Sequence, residues 1–335
     1  MKRNAAFILI VALIVGVFAL LGCDKKSSRP VVVQIGLENH PNEPITQGIY
    51  EWKRLIEERS GGSIEVQVFP SSQLGSKNEL IDQMLAGLPV ITLGSGAFLA
   101  DRGVPDLGIV FAPYFFETWD EVWQLIESDW WQEQMRLLEE KGLKVLTSNW
   151  VYGDRHTLAV RPIRTVADFQ GFKLRVPNNI MQIRGTEAIG ATPTPMPLGD
   201  VYTSLQQRVI DGVENPLSVL VGGRFFEVAK YLSLTAHLRD GTNWFTGTIF
   251  FNSLSEEHQR ILIETGNEAG IYNNTLQQTA DAESLAFLVS EGVEVIDINL
   301  NEFIAQSQSF FAMPDVINQW SPGLVETVRR AKQVR

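Results

Sequence analysis

Short β-branched runs alternate with stretches of helical periodicity between residues 31 and 93, and this alternation restricts the chain to an α/β architecture with parallel strands. Val31 to Leu37 suits a buried strand, and a polar loop holding Asn39, His40, Pro41 and Asn42 follows it. Ile45, Ile49, Trp52, Leu55 and Ile56 recur at helical spacing from Ile45 to Arg59, and Gly61-Gly62 stops that helix. Ser63 to Phe69 alternates Ile64, Val66 and Val68 on one face. Lys77 to Leu85 predicts a second helix, and Val90 to Leu93 a third strand. The order is βαβαβ.

Farther along, the spacing predicts one helix from Asp120 to Lys141, a strand from Leu143 to Leu146, and a new unit starting near Tyr152. Thr165 to Gly171, Lys173 to Val176, Ile180 to Ile189, Thr192 to Met196 and Asp200 to Arg208 then alternate short helices with short strands. Gly171, Pro177, Gly190, Pro197 and Gly212 punctuate them. Ser255 to Ser290 predicts one long helix, with Gly270 as the place for a kink.

The first 22 residues read as a signal peptide: Lys2 and Arg3 precede an apolar run from Ala5 to Leu21 that falls short of the ~20 residues needed to span a bilayer. The run ends at Cys23, the chain's single cysteine, and residues 23–30 form a polar linker. One thiol makes no intramolecular disulfide, so packing must hold the fold. The chain carries 28 Lys+Arg against 39 Asp+Glu, a net of −11 with no long block of either sign, which disfavours nucleic acid as a partner. Loss of Lys2 and Arg3 with the signal peptide takes −11 to −13.

Several chemistries lack their residues. His40, His156, His237 and His258 are scattered without a second ligand at metal spacing, so no metal is expected. Gly94-Ser95-Gly96 lacks the glycine two positions before the serine that a nucleophile elbow requires. Neither GxGxxG nor GxxxxGK[ST] occurs, so no cofactor is signalled.

Arginine supplies the chemistry that is present. Arg175 lies between Leu174 and Val176 in a short apolar strand, where a guanidinium must find partners. It either closes an internal salt bridge or clamps a ligand carboxylate with its planar fork of donors. Arg155 has the same two readings, its nearest internal partner being Asp154, and Asn215-Pro216 is either a donor site or only a turn.

The stretches FKLRVPNN, ATPTPMPLGDVYTSLQQRVIDGVENP and FFEVAKYLSLTAH resemble the solute-binding proteins of tripartite ATP-independent periplasmic (TRAP) transporters, the DctP family. The resemblance implies a two-lobed periplasmic-binding-protein fold with the ligand cleft between lobes and a long helix crossing both. The lobes it implies are residues 31–152 with about 241–280, and 153–240 with about 281–335. It implies a protein without enzymatic activity that captures a small organic acid by its carboxylate and delivers it to integral-membrane permease subunits. Arg175 matches the family's carboxylate clamp, with Arg155 and Asn215 at the two further ligand positions. Ser95, Phe98, Trp150, Leu198, Tyr202 and Trp244 are candidate walls. Family members that bind sialic acid carry an acid where this chain has Leu93-Gly94-Ser95 and an aromatic at Leu198, so a small or partly apolar acid is expected rather than a large polyhydroxylated one. Leu20-Leu21-Gly22-Cys23 resembles a bacterial lipobox, implying a lipid-modified Cys23 and an extracytoplasmic protein tethered to a bacterial membrane. The alternatives are a substrate-binding lipoprotein of an ATP-driven importer and a non-transport accessory lipoprotein.

Overall fold

The computed structural model describes residues 29–333; the expected signal peptide, Cys23 and most of the expected linker lie outside these residues. Val31–Gly36 (β1) pairs in parallel with Ile64–Phe69 (β2) and with Val90–Gly94 (β3), as the βαβαβ pattern predicts. Eight strands then line up as β2-β1-β3-β8-β4-β7-β5-β6 in one mixed sheet. Lys173–Val176 (β5) lies parallel to Thr192–Pro195 (β6) and to Gly212–Pro216 (β7). Glu294–Ile296 (β9) adds to the start of β8. Among the described residues no helix is long and apolar enough to cross a membrane.

Two strands hold the halves together. Leu143–Ala159 (β4) and Tyr231–Gly247 (β8) run antiparallel for 17 residues each. One end of β8 pairs with β3, and the far end of β4 pairs with β7. Sequence reading stops β4 at Leu146 and misses β8, because Thr147-Ser148-Asn149 and Arg239-Asp240-Gly241 carry turn chemistry. Both polar runs are nevertheless strand: Arg239-Asp240-Gly241 pairs with Asp154, Gly153 and Val151, Thr147 pairs with Trp244, and the Asn149 carbonyl accepts from Asn274 Nδ2 at 2.8 Å. The register slips between Val145 and Thr147, Thr147 and Trp150, Val151 and Gly153, and Arg155 and Thr157. Such bulges bend a strand and re-aim its side chains. Gly153 takes φ +133°, a conformation glycine adopts without a Cβ penalty.

The long helix is real and unbroken from Glu256 to Ser290. At Gly270 a Cβ would lie 2.5 Å from Asn149 Oδ1 and 2.9 Å from Trp150, so the missing side chain lets the helix lie against β4. Beneath it Trp52, Trp150 and Trp244 form a fully buried trio with centroids 5.4–5.9 Å apart. Each such ring contributes about 1.5–3 kcal/mol by burial, with about 0.5–1.5 more per well-oriented pair. The helix expected from Asp120 to Lys141 is two, Trp119–Ile126 and Asp129–Glu140. Ser128 separates them by accepting the Trp131 N–H at 3.2 Å, an N-cap that ends one helix by starting the next. After β9, Phe303 packs on Phe169, while Lys332 donates to the Phe115 carbonyl (2.7 Å) and to Glu121 (2.9 Å), so the C-terminal segment touches both halves of the sheet.

Candidate functional site

Where β4 and β8 change partners, the bulged backbone turns polar side chains into a cavity between the two halves, with about 410 Å³ of atom-free space counting its mouth. Arg175, Arg155, Asn215, Leu198, Phe98 and Ser95 all line it. Tyr202 instead faces a neighbouring groove that shares Leu198 and Glu38, and its hydroxyl donates to Glu227 at 2.7 Å. Trp150 and Trp244 do not line the cavity. They are consumed by the tryptophan trio under the long helix, where Trp150 Nε1 donates to the Gly266 carbonyl at 3.0 Å.

Arg175 is 2% exposed. Its Nε and Nη2 both donate to the Met196 carbonyl, at 3.0 and 2.6 Å, and among the described residues no carboxylate lies within ion-pair distance. Burial pulls its pKa down to about 10, against the raising fields of Glu38 and Glu214, so it stays cationic at neutral pH. A cation held this way is stable only because the strand fixes it; desolvation is uncompensated by a direct counter-ion.

Arg155 is equally buried and fully engaged. Nε and Nη2 form a fork on Glu214 at 2.6 and 2.7 Å, and Nη1 donates to Asp240 at 3.0 Å. The partner considered from sequence, Asp154, pairs with Arg239 instead. Burial raises the Glu214 carboxyl, but Arg155, with help from His237, outweighs it and holds the group down at about 2. At Asp240 burial wins over Arg155 and Lys77, and the pKa rises to about 6.

The polar lining exceeds what the sequence reading expected: ten of the fifteen lining residues are polar. Glu38, Lys77 and Gln182 come from segments read only as loop or helix, and Asp240 and Thr242 from a stretch to which the sequence reading gave no element. The rule that flagged Arg175, a charge inside a strand, flags Asp240 as well once β8 is recognised. Glu38 Oε1 accepts the Leu198 N–H at 3.1 Å, joining the loop after β1 to the segment after β6. Among the described residues no group of three or more His, Cys, Asp or Glu is placed to hold a metal ion. Buried guanidinium, amide and carboxyl groups lining one cavity are suited to holding an anionic, hydroxylated small molecule.

The model of the bacterial extracellular solute-binding protein family 7, DctP, matches residues 35–313. Among solved structures, a TRAP periplasmic solute-binding protein from Ochrobacterium anthropi with bound L-fuconate is 38% identical, with a TM-score of 0.88, over 91% of this chain and 100% of that one. One from Actinobacillus succinogenes 130Z with bound L-galactonate is 36% identical, with a TM-score of 0.86, over 90% and 99%. The 2,3-diketo-L-gulonate-binding periplasmic protein of Escherichia coli K12 is 32% identical over 72% of this chain and 74% of its own length. This chain therefore belongs to family 7 of the bacterial extracellular solute-binding proteins, the periplasmic binding component of TRAP transporters.

Proposed function

We propose that the protein captures a hydroxylated monocarboxylate, of the sugar-acid class held by its relatives from Ochrobacterium and Actinobacillus, and passes it to the membrane permease without altering it chemically. The observation that carries this reading is Arg175, a buried guanidinium without a protein carboxylate, on the wall of a cavity that is otherwise mainly polar. The ligand carboxylate accepts from Arg175 and from the Asn215 amide. Arg155 acts indirectly by holding Glu214 and Asp240 in place. Phe98 and Leu198 supply the apolar contacts. The lobes are residues 31–152 with about 241–280 and residues 153–240 with about 281–335, hinged at the bulges of β4 and β8. Closure expels water and strengthens each charge-assisted bond.

Cys23 carries a lipid anchor that keeps the protein at the membrane where the permease lies. Cys23→Ser is expected to abolish detergent-phase partitioning of the full chain.

Thermal shift and calorimetry with L-galactonate and L-fuconate test the ligand class. Ligand at 100 times Kd adds about 2.7 kcal/mol of stability by mass action. No shift with either acid at millimolar concentration overturns the assignment to sugar acids.

A further inference from the structure

Asp240 is 4% exposed and its two oxygens have different fates. Oδ2 accepts from Arg155 Nη1 at 3.0 Å, whereas Oδ1 is buried and has no hydrogen-bond partner. A buried acceptor left without a donor is unfavourable, and of the nine buried unpartnered side-chain atoms among the described residues only Asp240 Oδ1 is on a residue that lines this cavity. The orphaned oxygen belongs to a residue of the cavity wall. Lys77 lines the same cavity from the start of the helix Lys77–Leu85. Its ammonium lies 4.7 Å from the Phe98 ring centroid, and no carboxylate among the described residues lies within ion-pair distance of it. Burial depresses the Lys77 pKa, while Glu38 and Asp240 are close enough to oppose that shift. Besides Arg175 and Asn215, the wall thus presents an acceptor at Asp240 and a donor at Lys77 with capacity to spare.

A hydroxyl group is both donor and acceptor, and can bond to both members of such a pair at once. We propose that Asp240 and Lys77 determine specificity by reading one hydroxyl of the bound monocarboxylate, Asp240 Oδ1 accepting its proton and Lys77 Nζ donating to its oxygen. The proposal rests on the organic-acid reading above and narrows it. A second ligand carboxylate at this wall brings an anion against Asp240 and Glu38. A methylene leaves Oδ1 unpaired, and an ammonium meets the like charge of Lys77.

The test is a coupling measurement by calorimetry at fixed pH and salt. L-Galactonate, its monodeoxy analogues at C2 to C6 (the 6-deoxy compound being L-fuconate) and the dicarboxylate galactarate are titrated into wild type, Asp240→Asn and Lys77→Met. Thermal melts run in parallel. Asp240→Asn keeps an oxygen for Arg155, and Lys77→Met changes an independent element, so neither result depends on one variant folding.

In wild type, deletion of one hydroxyl is expected to weaken binding at least ~30-fold, because a site built to bond a hydroxyl rejects the analogue lacking it. In each variant the same deletion is expected to cost less than ~3-fold, the non-additivity that marks a direct pair. Galactarate is expected to bind wild type at least ~10-fold more weakly than L-galactonate, since like charges oppose it. Deoxy losses that are the same in wild type and in folded variants overturn the proposal but leave the carboxylate reading intact. Galactarate binding as tightly as L-galactonate does the same. A wild type that binds neither L-galactonate nor any analogue overturns both.

Discussion

Arg155 and Arg175 stand on strands two apart in the sheet, both almost wholly out of water, and they meet opposite electrostatic surroundings. Around Arg155 two carboxylates occupy every guanidinium nitrogen, and its own pKa moves up despite burial. Around Arg175 one carbonyl takes two donors and the pKa moves down. The same residue type therefore meets two environments: Arg155 closes a network of ion pairs, and Arg175, on the cavity wall, has no protein carboxylate within ion-pair distance among the described residues. Burial alone does not separate these roles. The presence or absence of a protein counter-ion does.

Replacing each arginine with methionine breaks the comparison most directly. Arg155→Met strands Glu214 and Asp240 as buried charges, and removing one partner of a buried ion pair costs about 3–5 kcal/mol. At roughly 2–4 °C per kcal/mol the melting temperature is expected to fall on the order of 10 °C. Arg175→Met removes a charge that has no counter-ion and keeps its volume, so the ligand-free protein is expected to melt within a few degrees of wild type or above it. Equal losses in both variants, followed by circular dichroism, end the distinction between the two sites.

Affinity is expected to sort them the other way. Arg175→Ala loses a buried charge pair with the ligand, about 2–5 kcal/mol, or ~30-fold to several thousandfold in Kd. Arg175→Lys is expected to bind poorly as well, because an ammonium keeps the charge and loses the planar fork. Wild-type affinity in a folded Arg175→Ala protein removes the clamp.

Titration gives the smallest and most specific contrast. Glu214 falls from 4.5 to about 2 in the folded state, so it stabilises the protein above pH 4.5, and that contribution is lost as pH drops from 4.5 toward 2. Asp240 rises from 3.8 to about 6, so its ionisation opposes folding, and stability is lost as pH climbs from 3.8 through 6. In acid, thermal melts of Glu214→Gln are expected to lack part of the wild-type decline. Between pH 4 and 6, Asp240→Asn is expected to gain on wild type as pH rises. A stability difference between wild type and Asp240→Asn that does not vary with pH contradicts the role of burial at that carboxyl.

Local pattern made much of the framework legible. β-Branched runs marked β1, β2 and β3, and apolar spacing marked the helices Pro44–Arg59 and Lys77–Leu85 and the long helix Glu256–Ser290. The apolar flanks of Arg175 singled it out in the sequence, because a charge in a short hydrophobic strand is conspicuous without any tertiary information. Composition also excluded whole classes of chemistry.

Three things were decided only in three dimensions. Polar runs became the middles of β4 and β8 because backbone groups find partners across the two strands and, at Asn149, on Asn274, which no local propensity records. Trp150 and Trp244 went to the core rather than the cavity because Gly270 lets the long helix approach Trp150 closely, Gly266 does the same at Trp52, and Trp244 packs on both of those rings. Arg155 is saturated by protein carboxylates because Glu214 and Asp240, 59 and 85 residues away, arrive on neighbouring strands. Periodicity reports which face of an element is apolar; which charge meets which counter-ion depends on strand order and bulge register, and those are set by contacts between distant parts of the chain.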